Sequence, residues 1–505
     1  MRSSSCEYSG RRCSTRGWWP PIAFAILCAA SCSCREAPKA KTENQAPLAT
    51  SEKLAPSNAP LNIVLIVADT FRADRVAMQR DGKPLMPNLA AFAAESWYYR
   101  NCRCQATWTK PSMASLFTSL YPDVHRVLFG IEDKIEGVDS PRSDVLPAAF
   151  ETMAEYLKSH GYATAGIQSN SHLTAHFGFE QGFDSYTLKK HPLFHANEIS
   201  DAAIEQMGKL SPPFFLYVHY MDTHGPYDLP KDYPQRPLPP ADLTDQDREL
   251  LDHWNDGYLD RILFQVGLNP KRRFGDFSKA GEDFIRRKYD ASANFLDGEI
   301  ARFTARLRDQ FPNTAIVFAA DHGEELFEHG SVGHAKTVYE ELARVPLIVK
   351  IPGATPRSID APVELIDVLP TCASLLGLPP KPEWQGSIVS DIQRGMPLDR
   401  PIFSSAQMTI SGSTCDLEMV TIGTLKLIVD NNTKQSTIFE LSHDPAELAG
   451  SPLSDKGADL ALMQALEQFH ATNLAHPLRH VAPETAELTP EQMENLRNMG
   501  YMQAE

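Results

Sequence analysis

The chain is 505 residues long, 42% hydrophobic and 22% charged, enough for one large α/β domain with appendages or for roughly two to four smaller domains. Its 48 Lys and Arg against 64 Asp and Glu leave a formal charge of −16, a surface that repels phosphate backbones and disfavours nucleic acid as a partner. It contains no apolar run of about 18 residues, which argues against a conventional spanning helix.

Residues 1–32 have the layout of an export signal. Arg2, Arg11, Arg12 and Arg16 form a basic start, an apolar stretch follows over 18–30, and Ala29-Ala30-Ser31-Cys32 closes it with small residues before a cysteine. The layout resembles a bacterial lipoprotein signal, with Ala29 where Leu is usual. Cys32 would then be lipidated and would anchor an exported, periplasmic or cell-surface protein to the membrane. The alternatives are plain signal-peptidase cleavage or a short uncleaved anchor. Residues 33–60 are rich in Pro, Ala, Lys and Ser, lack an apolar period and read as a flexible linker. Outside the signal the cysteines are Cys34, Cys102, Cys104, Cys372 and Cys415. That scatter is neither a disulfide framework nor a paired zinc motif, and Cys102 and Cys104 read as packing residues.

From 61 to 385, β-branched runs alternate with helix-period segments. Residues 62–67 form a continuous apolar run, the pattern of a strand buried on both faces. A helix through Phe150, Met153, Ala154 and Leu157 stops at Gly161, and strands are expected over 163–167, 214–218, 315–319 and 345–351. Ile285, Tyr289, Leu296, Ile300, Phe303 and Leu307 mark the core stripe of a long helix. The alternation predicts an α/β catalytic domain with a mainly parallel central sheet between helices. Over 386–474 the texture changes to a hairpin (419–422 and 425–429), a strand at 438–441 and a helix over 460–469, a smaller antiparallel subdomain. The tail, 475–505, reads as loose up to a terminal helix with Thr489 as N-cap, Pro490 at N1 and Gln492 at N3.

Carboxylates and imidazoles stand at three expected strand ends: Asp69, the Asp222/His224 pair and the Asp321/His322 pair. Open α/β sheets bind ligands at that edge, and oxygen with imidazole donors suits a divalent cation. A fourth feature is Thr109, just before a helix whose first turn contains Pro111. A hydroxyl there is either a plain N-cap or the partner of an anionic tetrahedral group.

These residues fall within motifs that carry a resemblance. They run from Asn62 through Asp69, Arg72 and Asp74, then Pro87-Asn88-Leu89 and Thr109 through Pro122, and on to His219 through Tyr227. Asp321-His322-Gly323-Glu324, Gly333-His334, Tyr339, Arg344 through Ile348, Asp367 through Thr371 and Phe439 through Pro445 complete the series. In this order they resemble the sulfatase-like branch of the alkaline phosphatase superfamily over about 61–445. The resemblance implies one divalent metal ion held by Asp69, Asp321 and His322, with Thr109 as nucleophile completing the shell, and His224 and His334 acting on the oxyanion or leaving group. For His334 a surface-loop histidine is the plain alternative. Lys110, Asp222 and Asn170 are further candidates for substrate contact.

Three departures accompany it. Thr109 stands where sulfatases carry the Cys or Ser that becomes formylglycine, so no formylglycine is expected. Met113 replaces the usual Arg, and residues 166–172 lack the sulfate-gripping Lys and His pattern. Phosphodiesterases, phosphonate hydrolases and phosphoglycolipid transferases of the superfamily use unmodified Thr. The expectation is an exported, metal-dependent hydrolase of phosphate or sulfate esters acting through a covalent Thr109 intermediate. The alternatives are a phospho-group transferase on envelope glycans or lipids and a catalytically silent binding homologue. A His in the shell favours Mn or Zn, whereas family sulfatases commonly use Ca.

Overall fold

The computed structural model describes residues 60–128, 142–189, 195–256, 277–389, 399–410, 413–454 and 456–498. Residues 1–32, and with them Cys32, lie outside these. Among the described residues nine strands make the central sheet: β1 (Asn62–Ala68), β2 (Trp97–Arg103), β3 (Ala163–Gln168), β4 (Ser185–Leu188), β5 (Phe214–Tyr220), β6 (Thr314–Ala320), β7 (Arg344–Lys350), β8 (Arg357–Ile359) and β9 (Val363–Glu364). Their order is β8-β2-β7-β6-β1-β5-β3-β4, with β9 also on β2. All run one way except β7, which is antiparallel to both β6 and β2. The expected strand at 345–351 thus exists but reverses the parallel rule. The chain leaves β6 into the site loops and returns from the same edge, so no crossover turns β7 round.

β1, β5 and β6 are buried throughout, as continuous apolar runs demand. Ala68 pairs with Tyr220 on one side and with Ala320 on the other, so Asp69 and Asp321 leave the sheet side by side. Helix α1 (Pro87–Ala94) precedes β2, α2 (Thr109–Thr118) follows it, and α3 (Met153–Ser159) and α4 (Ala196–Met207) flank β3 and β5. The long α5 (Lys279–Gln310) starts at Ser278, whose hydroxyl accepts the Gly281 N–H, and buries the expected stripe. Tyr289 in that stripe does more than fill the core. Its hydroxyl donates to the Thr70 carbonyl at 2.8 Å and accepts the Arg72 N–H at 3.0 Å, fastening the loop after β1.

A second sheet is antiparallel: β10 (Ile402–Ile410), β11 (Ser413–Ile422), β12 (Leu425–Asp430), β13 (Gln435–Glu440) and β14 (Ser451–Pro452). Helix α6 (Val368–Leu375) precedes it, and α7 (Gly457–Leu474) packs Leu462 and Leu466 on Val420, Leu427 and Ile438. This sheet grips the segment before Thr109: Thr107 N–H donates to the Ser405 carbonyl and Ser405 N–H to the Gln105 carbonyl, both at 3.0 Å. The tail is not loose, since Glu484–Glu487 pairs antiparallel with Arg142–Val145. Thr489 and Gln492 form the expected reciprocal cap.

Candidate active site

Asp69 and Asp321, both fully buried at the ends of β1 and β6, form the floor of the site. Asp69 uses one oxygen for protein contacts: Oδ2 accepts from Asn170 Nδ2 at 2.8 Å and lies 3.0 Å from His219 Nε2. Asp321 does likewise, its Oδ1 accepting the N–H groups of Thr70 at 3.1 Å and His322 at 2.9 Å. The other two oxygens, Asp69 Oδ1 and Asp321 Oδ2, are buried with no hydrogen-bond partner. Two orphaned carboxylate oxygens in one enclosed site lack the compensation burial requires, which a cation would supply.

Two imidazoles adjoin these carboxylates. Ligand atoms of Asp69, His219 and Asp321 all lie within 4.8 Å of one another. The Tyr217 hydroxyl, 2.7 Å from His219 Nδ1, donates there and leaves the proton on Nε2, so His219 orients Asp69 through an N–H···O bond. His322 has the opposite tautomer. Its Nδ1–H donates to the Gly323 carbonyl at 2.9 Å, and Nε2 presents a lone pair 3.5 Å from Asp321 Oδ2 and 4.0 Å from Asp69 Oδ1. The donor set Asp69 Oδ1, Asp321 Oδ2 and His322 Nε2 fits one divalent cation.

Thr109 is the first residue of α2, Trp108 being its N-cap, so the plain N-cap alternative does not hold. Its hydroxyl is 3.4 Å from Asp69 Oδ2 and 3.4 Å from His322 Nε2, at the positive end of a buried helix. Ser112, one turn on, donates to the Asp321 carbonyl at 2.5 Å and ties the helix to β6. Opposite stand His224 and His334, with ring centroids 5.1 Å apart, and His334 lies 4.6 Å from His322. His334 is buried, not a surface-loop histidine, and its Nδ1 is 2.7 Å from Glu324 Oε2.

Three candidate substrate contacts are engaged within the protein itself. Lys110 turns its Nζ to Ser143 Oγ and the Asp144 carbonyl and over the Phe177 ring, because position two of the helix faces away from Thr109. Asp222 Oδ1 accepts the Ala196 N–H at 2.9 Å and serves the first turn of α4. Asn170 holds Asp69 and accepts the His172 N–H, so it acts as a positioning residue. Three residues were not singled out from the sequence: His219, Glu324 and Tyr227. All lie inside the recognised motifs, and the two-residue period of β5 puts Tyr217 and His219 on one face.

Charge is distributed unevenly. Burial works against an ionised Asp69, but the hydrogen bond from His219 overcomes it and holds the acid well below the carboxylate range. Burial and the Asp69 charge push Asp321 the other way. Burial, then neighbouring His334, lowers His322 to about 3 and keeps it neutral, the form that metal binding would require. Burial raises Glu324 to about 7 and lowers His224.

This sheet, with carboxylates, an imidazole and a hydroxyl converging at one edge, defines a sulfatase-like ester hydrolase of the alkaline phosphatase superfamily. The family model described as Sulfatase matches residues 61–378, and the chain belongs to that family. It is 26% identical to the uncharacterized sulfatase YidJ of Escherichia coli K12 (64% of this chain, 69% of YidJ). It is also 26% identical to iduronate 2-sulfatase of Mus musculus (72% and 75%). In fold it is similar to the phosphonate monoester hydrolase of Agrobacterium radiobacter, with TM-score 0.62, 19% identity and 85% and 98% coverage.

Proposed function

We propose that the protein is an exported, metal-dependent hydrolase that moves a phosphoryl or sulfuryl group from an ester to Thr109 and then to water. The observation that carries this reading is the Thr109 hydroxyl, 3.4 Å from both Asp69 Oδ2 and His322 Nε2 at a helix N-terminus. Asp69, Asp321 and His322 would hold one divalent cation (Ca, Mn or Zn). Such an ion supplies neutralisation of the ester's charge and a lowered hydroxyl pKa at the nucleophile. Thr109 attacks the tetrahedral centre. The N–H groups of the first turn of α2 face the anionic oxygens, and His224 and His334 serve the departing and entering oxygens.

Met113 is buried among apolar residues and Lys110 is bonded elsewhere, so neither supplies the cation a formylglycine sulfatase places near its nucleophile. A cavity of about 380 Å³ beside Tyr227, lined by Leu229, Arg236, Leu243, Phe284 and Lys288, has room for the organic part of an anionic ester, glycan- or lipid-linked. Transfer to such an acceptor in place of water is the second reading.

The test is a panel of aryl phosphate, phosphodiester, phosphonate and sulfate esters, with each metal, on wild type, Thr109→Ala and Thr109→Ser. Thr109→Ala should lose several orders of magnitude in kcat, far more than the roughly 1 kcal/mol of a lost cap, while Thr109→Ser keeps measurable turnover. Chelation should abolish activity. Near-wild-type turnover in Thr109→Ala would refute the nucleophile.

A further inference from the structure

We infer that Glu324, itself held by the Tyr227 hydroxyl, positions His334 as the group that protonates the leaving oxygen, gripping its Nδ1 so that Nε2 faces the ester. This rests on the reading of Thr109 as nucleophile given above.

Four observations converge on it. Glu324 is enclosed, and both its oxygens are engaged: Oε2 with His334 Nδ1 at 2.7 Å, Oε1 with the Tyr227 hydroxyl. With both oxygens engaged, it is not among the open donor atoms of the cation site. The His334 ring stands in the wall between His322 and His224, at 4.6 and 5.1 Å, with Nε2 on the side of the ring away from Glu324. Tyr227 adopts a left-handed backbone, φ 57°, which a bulky side chain takes only when its surroundings require it. Its ring packs edge-on against Tyr289, centroids 5.3 Å apart, and this fixes the direction of the hydroxyl. A carboxylate that accepts from Nδ1–H holds an imidazole in one orientation and stabilises its protonated form, as in the orienting member of a catalytic triad.

In the step this serves, Thr109 Oγ1, already deprotonated, bonds to phosphorus or sulfur while the ester oxygen departs. His334 Nε2 gives its proton to that oxygen, releasing an alcohol. The neutral imidazole then takes a proton from the water that cleaves the Thr109 ester.

A pair of substrates separates this role from a merely structural one, because a proton donor matters more when the leaving oxygen is basic. Phenyl and 4-nitrophenyl esters of the acid that wild type hydrolyses best are compared on wild type, Glu324→Gln, Tyr227→Phe, His334→Gln and the Glu324→Gln/His334→Gln double variant. Metal content is measured for each by elemental analysis. Glu324→Gln should keep its metal and lose at least about tenfold more kcat/KM on the phenyl ester than on the 4-nitrophenyl ester. Tyr227→Phe should show a smaller difference of the same sign, and the double variant should be no worse than His334→Gln. Equal losses on both esters, losses that add in the double variant, or loss of metal from Glu324→Gln would each overturn the assignment. Crystal structures of Glu324→Gln and Tyr227→Phe give a readout without turnover. The His334 ring should leave its place against His322, and an unmoved ring in both overturns the assignment. Activity surviving in Thr109→Ala would remove the nucleophile reading alone, since the leaving-group comparison still reports on Glu324.

Discussion

The carboxyl of Asp222 is enclosed with the Ala196 N–H on one oxygen, and burial, only partly offset by that bond, raises it to about 7 from an ordinary 3.8. Below about pH 4 the folded and unfolded chains both hold this proton. Between there and about pH 7 the unfolded chain releases it and the folded chain keeps it, so stability falls as pH rises, and the deficit is constant above. Asp222→Asn keeps an acceptor for Ala196 and removes the titration. It should be more stable than wild type at pH 8 by about 1–3 kcal/mol, with the gain vanishing near pH 4. Urea melts across that range at fixed metal concentration check this, and a difference independent of pH would contradict it. The same residue shows where legibility ended. A carboxylate two residues past a strand end announces either a site or a helix terminus, and only the path of α4 decides between them.

Element by element, the site depends on backbone contacts as much as on side chains. The Asp321-His322-Gly323 turn packs directly on the segment before β7: Gly323 N–H donates to the Leu342 carbonyl at 2.8 Å and Glu324 N–H to the Glu341 carbonyl at 3.1 Å. A Cβ on Gly323 would collide with that Glu341 carbonyl, which cannot give way while β7 pairs with β6 and β2. Gly323→Ala should therefore cost on the order of 3 kcal/mol and displace His322. A thermal melt with metal titration reads both effects, and wild-type stability with wild-type metal affinity would contradict it. The glycine was visible in the motif, but its reason was not. Strands β2, β4, β8 and β10 were also illegible, because Trp97–Arg103 and Ser185–Leu188 mix exposed and buried positions without a clean period.

At the scale of the molecule, the smaller sheet is a support for the site. Lys426 from β12, fully buried, donates to the Val338 carbonyl at 2.7 Å and to Glu340 at 3.1 Å, and pairs with Glu447 at 2.8 Å. These bonds fasten the loop that carries His334, while the β10 contacts fasten the loop before Thr109. Export completes the proposal. The basic start, apolar stretch and Ala29-Ala30-Ser31-Cys32 ending predict attachment through Cys32, so Cys32→Ala should shift the protein from the membrane fraction to the soluble fraction or block its processing. Identical fractionation and migration would exclude lipidation.

The local pattern of this chain was sufficient for the alternation of strands and helices, the change of texture near 386, and the strand-end candidates Asp69, His224, Asp321 and His322, whereas His334 and a catalytic part for Thr109 came only with the family resemblance. Burial on both faces writes continuous apolar runs, and a polar residue that ends such a run stands out. Tertiary structure alone decided which way each polar group turns. Lys110 lies next to Thr109 in sequence yet reaches Asp144, whereas Tyr227 and Glu324, 97 residues apart, join through a hydrogen bond, and the other oxygen of Glu324 lies against the His334 imidazole. The reason is physical: a carboxylate's role follows from the donors that surround it, and here those donors come from strands and loops that become neighbours only when the sheet forms.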